Sequence, residues 1–291
     1  MLAFVFPGQG SQYPGMGAEL FDDVIEFRAL ERTIDKIAGF SVRATCLNAS
    51  VGELRDTRLT QPCMYVVNAL HYFTAIAEGS SPQCFAGHSL GEYNALMAAG
   101  AIDFFSGLRL VKIRGELMSQ IRAGGMAAIS GIPSEEVPSL IEKAGPMSLD
   151  IALYNAPSQT VISGPHLELV KLEPIVRAHG GTFAELSVSG PFHSRLMRSA
   201  RQQFEKTLEG VTFSSCHLPV FSNVTSTPYP TNDAVEMRRL LAAQLTDSVR
   251  WTETIDRMLD AGTTEFKEIG PKAVLTALIG QIKHCRGITG A

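Results

Sequence analysis

The stretch Cys84-Phe85-Ala86-Gly87-His88-Ser89-Leu90-Gly91-Glu92-Tyr93 decides the fold. Cys84 to Ala86 reads as a short buried strand, and Glu92 to Ala99 as a helical run. Between them stands G-x-S-x-G, in the strand, turn and helix context that this motif requires. So sharp a turn needs glycines where a side chain would clash, and it lifts the Ser89 hydroxyl to the carboxyl edge of a sheet. The following helix aims its N-terminal amides at any oxyanion that forms there. A structural turn serine would fit the same five letters, so the reading rests on the context.

Upstream, Leu2 to Phe6 is a second short apolar strand, followed by the turn Pro7-Gly8-Gln9-Gly10-Ser11. Strand, Gly-rich turn and helix in alternation predict a parallel α/β sheet. Leu59 to Ala77 carries no charge, but Thr60, Gln61, Pro62, Asn68, His71 and Thr74 would be costly in lipid. It is expected to be a buried helix after a Gln-Pro turn rather than a membrane span.

Downstream the rhythm changes. Gly125 to Ile132 reads as a strand, and Ser134 to Ala144 as a helix with Ser134 as N-cap. The strands Ser148 to Tyr154 and Thr160 to Gly164 follow, then a helix from His166 to His179 and the strand Thr182 to Val188. That β-α-β-β-α-β order is the split βαβ pattern, so a small subdomain is expected at 124–189, inserted into a larger one made of 1–123 and 190–291. After it the α/β rhythm resumes through the strands Leu218 to Asn223 and Thr264 to Ile269.

The 291 residues are 45% hydrophobic and 19% charged, which fits a globular chain and excludes disorder, collagen and coiled coil. Twenty-five basic residues against 29 acidic ones give a net charge of −4, which offers no footprint for nucleic acid. The five scattered cysteines contain no CxxC pair, so reduced thiols in the cytoplasm are expected rather than a disulfide framework or a metal site. The N-terminus has no basic segment ahead of its short apolar run, so no signal peptide is expected, and the protein should be soluble.

A serine nucleophile needs a base, usually histidine. His71, His166 and His179 fall on helices, and His217 has no distinguishing context. His88 adjoins Ser89, but neighbours across such a turn point apart, so orienting the site is its better role. His193 lies in Ser189-Gly190-Pro191-Phe192-His193-Ser194, where the chain returns from the insertion, a place suited to presenting a side chain over a cleft. It is preferred to His284, near the C-terminus. On the helix Ser106 to Arg122, Leu110, Leu117, Met118 and Ile121 mark an apolar face, and the position completing the stripe is Arg114. A buried cation needs either an internal carboxylate or an anionic ligand held by its planar fork, and periodicity leaves both open.

Phe6-Pro7-Gly8-Gln9-Gly10-Ser11-Gln12, Gly87-His88-Ser89-Leu90-Gly91-Glu92-Tyr93 and Gly190-Pro191-Phe192-His193-Ser194 resemble the malonyl-CoA:acyl-carrier-protein transacylases. The likeness extends from Phe6 to Ile282 through Leu59-Thr60-Gln61-Pro62, Tyr154-Asn155-Ala156-Pro157, Ser222-Asn223-Val224 and Glu268-Ile269-Gly270-Pro271. It is nearest to the stand-alone, trans-acting acyltransferases that serve modular polyketide synthases. The resemblance implies an α/β-hydrolase-like parallel-sheet core with an inserted ferredoxin-like subdomain. It also implies ping-pong transfer of malonyl from malonyl-CoA, through a Ser89 ester, to the phosphopantetheine thiol of an acyl carrier protein, for polyketide or fatty-acid synthesis. Coenzyme A enters as a thioester substrate and phosphopantetheine on the carrier; no tightly bound cofactor, metal, nucleic acid or membrane partner is implied.

On that resemblance His193 is the general base, Gln9 and Leu90 supply the oxyanion amides, and Arg114 pairs the free malonyl carboxylate. Phe192 restricts branched acyl groups, Asn155 and His88 flank the substrate, and Asn223, Gln244 and Gln61 are supporting amides. A backbone or amide carbonyl, not an aspartate, orients the histidine. Rival readings are an editing hydrolase that strips acyl groups from carrier proteins, an esterase using His284, and a non-catalytic binding module. Arg195, Arg198 and Arg201 recur every three residues and read either as a docking stripe for an acidic carrier or as a solvated helix face.

Overall fold

Alternation along β1 (Leu2–Phe6) sends Phe4 and Phe6 into one buried cluster and Ala3 and Val5 into another. A strand apolar on both faces belongs inside a parallel sheet covered by helices. In the computed structural model, which describes residues 1–145 and 147–288, β1 pairs in parallel with β2 (Cys84–Gly87) and, on its other side, with β8 (Glu265–Glu268). With β7 (Val220–Phe221) at one edge the sheet order is β7-β2-β1-β8. Residue 146 and residues 289–291, which fall within the two expected domain ranges, lie outside the description.

Between β1 and β2 run α1 (Leu20–Asp23), α2 (Ile25–Ala38), α3 (Val42–Asn48) and α4 (Thr57–Ala77). The first three were not read from the sequence. The expected Gln-Pro turn is also corrected: Asp56 caps α4, and Gln61 and Pro62 lie inside it, buried. After β2 come α5 (Gly91–Ala98) and α6 (Phe104–Ser119), the latter capped by the Asp103 side chain.

The second sheet is antiparallel and holds β3 (Gly125–Ser130), β4 (Asp150–Ala156), β5 (Gln159–Gly164) and β6 (Thr182–Glu185) in the order β4-β5-β3-β6. Two helices, α7 (Val137–Lys143) and α8 (His166–Ala178), connect these strands as the split pattern requires, and their apolar residues share one core with Ala127, Ile129 and Ile162. Ser134 does not cap α7. Its hydroxyl donates to Ala156 O at 2.9 Å instead, and the helix begins later, at Val137.

The chain then forms α9 (Arg198–Glu209), α10 (Ala234–Ala243), α11 (Trp251–Asp260) and α12 (Val274–Cys285) around the parallel sheet. β4 is stitched to that half: Tyr154 N donates to Val249 O at 2.9 Å and Val249 N to Ala152 O at 2.8 Å. All five cysteines are free thiols. Among the described residues no helix is long and apolar enough to cross a membrane.

Candidate active site

Parallel register places Phe6 beside Gly87, so the loops leaving β1 and β2 emerge side by side at the carboxyl edge of the sheet. They pack too closely for side chains. A Cβ at Gly91 would stand 2.0 Å from Phe6 O, and one at Gly8 would stand 2.4 Å from His88 O. Ser89 sits at the apex with φ of 50°, a left-handed conformation that the packed loops enforce on a non-glycine residue. Asn223, just beyond β7, clamps the turn: its Oδ1 accepts from Ser89 N at 2.7 Å and its Nδ2 donates to Gly87 O at 2.6 Å.

His193 comes from the loop after β6, also with positive φ, at 54°. Its Nδ1–H donates to the main-chain oxygen of Gln244 at 2.7 Å, which leaves Nε2 to accept from Ser89 Oγ at 2.8 Å. Burial, then the charge of Arg114, pushes the imidazole pKa down to about 3, so it is held neutral and able to take a proton. A main-chain carbonyl rather than a carboxylate orients this base.

Arg114 on α6 is 1% exposed. Its Nη2 donates to Ser89 Oγ and to Gln244 Oε1, each at 3.0 Å, and its guanidinium lies 5.7 Å from the Tyr93 ring centre. Nε is buried without a partner, and no carboxylate among the described residues makes an ion pair with this side chain. The main-chain N–H groups of Gln9 and Leu90 donate to no acceptor among the described residues, and both residues line the same cavity as Ser89. The volume of that cavity is about 80 Å³. Ser89, Arg114 and His193 line it together with Met126 of β3, Leu153 of β4 and Leu186 and Val188 after β6, so it draws on both sheets' halves of the chain.

Phe192 lines this cavity, as does His88. His88 is fixed by Asn155 Oδ1 at 2.9 Å from Nε2 and by an edge contact with Trp251 at 5.4 Å. Asn155 is not among the residues lining the cavity; its side chain holds His88. Gln61 is a layer further out, donating to the sulfur of Met118 at 3.4 Å, and Met118 lines the cavity. Gln244 Nε2 donates to Ser89 O at 2.9 Å. His284 is exposed on α12, in a separate groove beside Gln281 and Cys285. Of the arginine stripe, Arg195 pairs with Asp150 at 2.6 Å and Arg201 with Glu205 at 2.9 Å, whereas Arg198 has no ion pair among the described residues.

One residue at the site escaped the sequence reading. Glu92 is fully buried behind Ser89 and accepts from Asn223 N at 2.9 Å and from Tyr229 OH at 2.8 Å. In the sequence it is an acid in the first turn of a helix, a common and usually solvated position. Among the described residues no cluster of three or more His, Cys, Asp or Glu side chains could hold a metal ion.

A nucleophilic hydroxyl, a neutral base, two free amides and an unpaired guanidinium converge in one cavity, the equipment for acyl transfer from an anionic acyl donor. A family model described as acyl transferase domain matches residues 3–286. The polyketide biosynthesis malonyl CoA-acyl carrier protein transacylase PksC of Bacillus subtilis is 46% identical over 290 residues, covering 97% of this chain and 97% of its own length. BaeC of Bacillus velezensis, named for the same activity, is 44% identical over 287 residues, covering 98% and 97%. The polyketide biosynthesis protein PksE of Bacillus subtilis is also 44% identical, but the chain spans only 37% of that longer relative. Among solved structures, a malonyl CoA-acyl carrier protein transacylase from Burkholderia pseudomallei superposes with a TM-score of 0.92 at 42% identity, covering 100% and 99% of the two chains. A malonyl-transacylase in complex with a type II PKS acyl-carrier protein gives 0.92 at 33% identity, covering 97% and 93%.

Proposed function

The chain belongs to the acyl transferase domain family, and from that premise and the geometry of its site we propose how it transfers malonyl. It is a malonyl-CoA:acyl-carrier-protein transacylase, moving the malonyl group from malonyl-CoA to the phosphopantetheine thiol of an acyl carrier protein. Ser89 Oγ gives its proton to His193 Nε2 and attacks the thioester carbonyl. The resulting oxyanion is held by the N–H groups of Gln9 and Leu90, which have no other acceptor among the described residues. Collapse expels the coenzyme A thiolate, which takes the proton from His193 and leaves a malonyl ester on Ser89. The carrier thiol then gives its proton to His193 and attacks that ester, and Ser89 regains a proton as it leaves. Coenzyme A and phosphopantetheine thus arrive as substrate and as the partner's arm, and the mechanism calls for no resident cofactor.

The observation that carries this reading is Arg114, buried beside Ser89 Oγ at 3.0 Å with no carboxylate in an ion pair with it among the described residues. A malonyl ester on Ser89 brings its own carboxylate to that fork, whereas a neutral acyl group leaves the cation buried and unpaired. The same point weighs against an editing hydrolase for neutral chains. Phe192, buried on the cavity wall, leaves little room for a methyl branch, so methylmalonyl is disfavoured. The names of PksC and BaeC support a place in polyketide biosynthesis, where the malonyl carried by the partner would serve as an extender unit. The division into 1–123 with 190–291 and an inserted 124–189 is supported by all four antiparallel strands falling between 125 and 185.

Incubation with malonyl-CoA and a phosphopantetheinylated carrier protein separates the two activities. Malonyl should accumulate on the carrier in a Ser89-dependent manner. Release of free malonate without carrier loading would instead establish the hydrolase.

A further inference from the structure

Glu92 lies on the first turn of α5, is 0% exposed, and takes no part in the transfer steps above. Both of its oxygens act as acceptors. Oε1 accepts from Asn223 N and Tyr229 OH, and Oε2 accepts from Gln244 Nε2. The other end of the same amide, Gln244 Oε1, accepts from Arg114 Nη2, and the Gln244 main-chain oxygen accepts from His193 Nδ1–H. Gln244 therefore stands between a buried carboxylate and the site, its nitrogen toward Glu92 and its oxygen toward Arg114.

We propose that Glu92 is a positioning residue for the transfer: as a carboxylate it fixes the orientation of the Gln244 side-chain amide, and through it Arg114 beside Ser89 Oγ. The inference rests on the transacylase reading above. Its reason is donor and acceptor matching in a dry environment. Three donors converge on Glu92, so the group there must accept at both oxygens. An amide at position 92 sets an NH2 against Gln244 Nε2 or against Asn223 N–H, and a proton on the carboxyl does the same wherever Tyr229 OH keeps its own hydrogen toward Glu92. If Gln244 turns over to relieve this, its NH2 faces the Arg114 guanidinium, two donors oppose each other, and the arginine is pushed from Ser89 Oγ.

The charged and titratable groups around Glu92 are Arg114 from α6, Tyr93 on its own helix and Tyr229 from the loop after β7, with His193 beyond Gln244. Burial pushes the Glu92 carboxyl up to about 7, opposed by its bonds to Asn223, Tyr229 and Gln244 and by the Arg114 charge. The active carboxylate is therefore present above that pH and lost below it. His193, held at about 3, does not titrate in this range.

The test is the rate of Ser89 acylation by malonyl-CoA between about pH 5.5 and 8.5 in the full chain, in Glu92→Gln and in Glu92→Asp, with thermal melting of each. The wild type should lose rate on the acid side with an apparent pKa of about 7. Glu92→Gln should lack that limb, with a plateau about 10- to 100-fold lower and a higher KM for malonyl-CoA. Glu92→Asp should restore a limb, displaced from the wild-type position, and part of the rate. A wild-type profile in Glu92→Gln, or a lower rate with that profile that tracks only the folded fraction, overturns the proposal. Where Glu92→Gln does not fold, a Glu92→Asp limb unmoved from wild type overturns it. A wild-type chain that forms no malonyl-Ser89 refutes the transacylase reading instead, so the two failures are distinct.

Discussion

Replacing Arg114 with alanine should collapse the preference for malonyl over acetyl thioesters. Arg114 is 1% exposed and has no carboxylate partner in an ion pair among the described residues, so a bound malonyl carboxylate would face a buried guanidinium in a mostly apolar cavity. Truncating one partner of such a buried charged pair costs about 2–5 kcal/mol. At 1.36 kcal/mol per tenfold, that is a loss of about 30- to 5,000-fold in malonyl loading. Arg114 also donates to Ser89 Oγ, so the chemical step will slow for any acyl group. The ratio of malonyl to acetyl loading cancels that common loss and isolates the carboxylate contact. Competition between malonyl-CoA and acetyl-CoA, read by intact mass of the acyl-enzyme, gives the ratio directly. Arg114→Lys should fall between, since an ammonium keeps the charge but not the fork. A malonyl-to-acetyl ratio in Arg114→Ala equal to that of wild type would refute the reasoning.

Replacing His193 with alanine should slow Ser89 acylation by about 10²- to 10⁴-fold, measured as single-turnover loading, while His284→Ala, altering an exposed side chain in another groove, should leave it unchanged. Gly8→Ala would place a Cβ 2.4 Å from His88 O and displace the loop that carries Gln9; loading should fall even in molecules that circular dichroism reports as folded. His193 is held at about 3 when folded against an ordinary 6.5, so the unfolded chain binds the extra proton and stability is lost as pH falls through that window. His193→Ala should therefore flatten the acid limb of a denaturation series relative to wild type, by on the order of 4–5 kcal/mol at its foot. Charge reversal at Arg198, which lacks an ion pair among the described residues, should weaken transfer to a carrier while sparing self-acylation; equal loss of both would remove that helix face from docking.

Much of this site is legible because its chemistry leaves a local trace. Gly87 and Gly91 mark the turn that no side chain could enter, and Arg114 breaks an apolar stripe. The order of strands and helices from Gly125 to Glu185 names the second sheet before any contact is seen. What stays hidden depends on partners distant in sequence. Glu92 becomes a buried acceptor only when Asn223, Tyr229 and Gln244 arrive from more than a hundred residues away. Gln244 orients His193 through a main-chain oxygen, a group that every residue carries and no motif reveals. Pro62 looks like a turn because proline removes a helical donor, yet α4 runs through it. The cost is one hydrogen bond near the helix start, outweighed by burial of neighbours such as Met64, Tyr65 and Val66. The arginine spacing on α9 is visible, but the acids that occupy Arg195 and Arg201, Asp150 and Glu205, are seen only in the fold.

The most direct measurement is the intact mass of the protein after brief mixing with malonyl-CoA in the absence of any carrier. One malonyl group per chain should appear, be located on Ser89, be absent in Ser89→Ala, and disappear when a phosphopantetheinylated carrier is added. A chain that stays unmodified, or that carries malonyl undiminished in Ser89→Ala, would contradict transfer through a Ser89 ester.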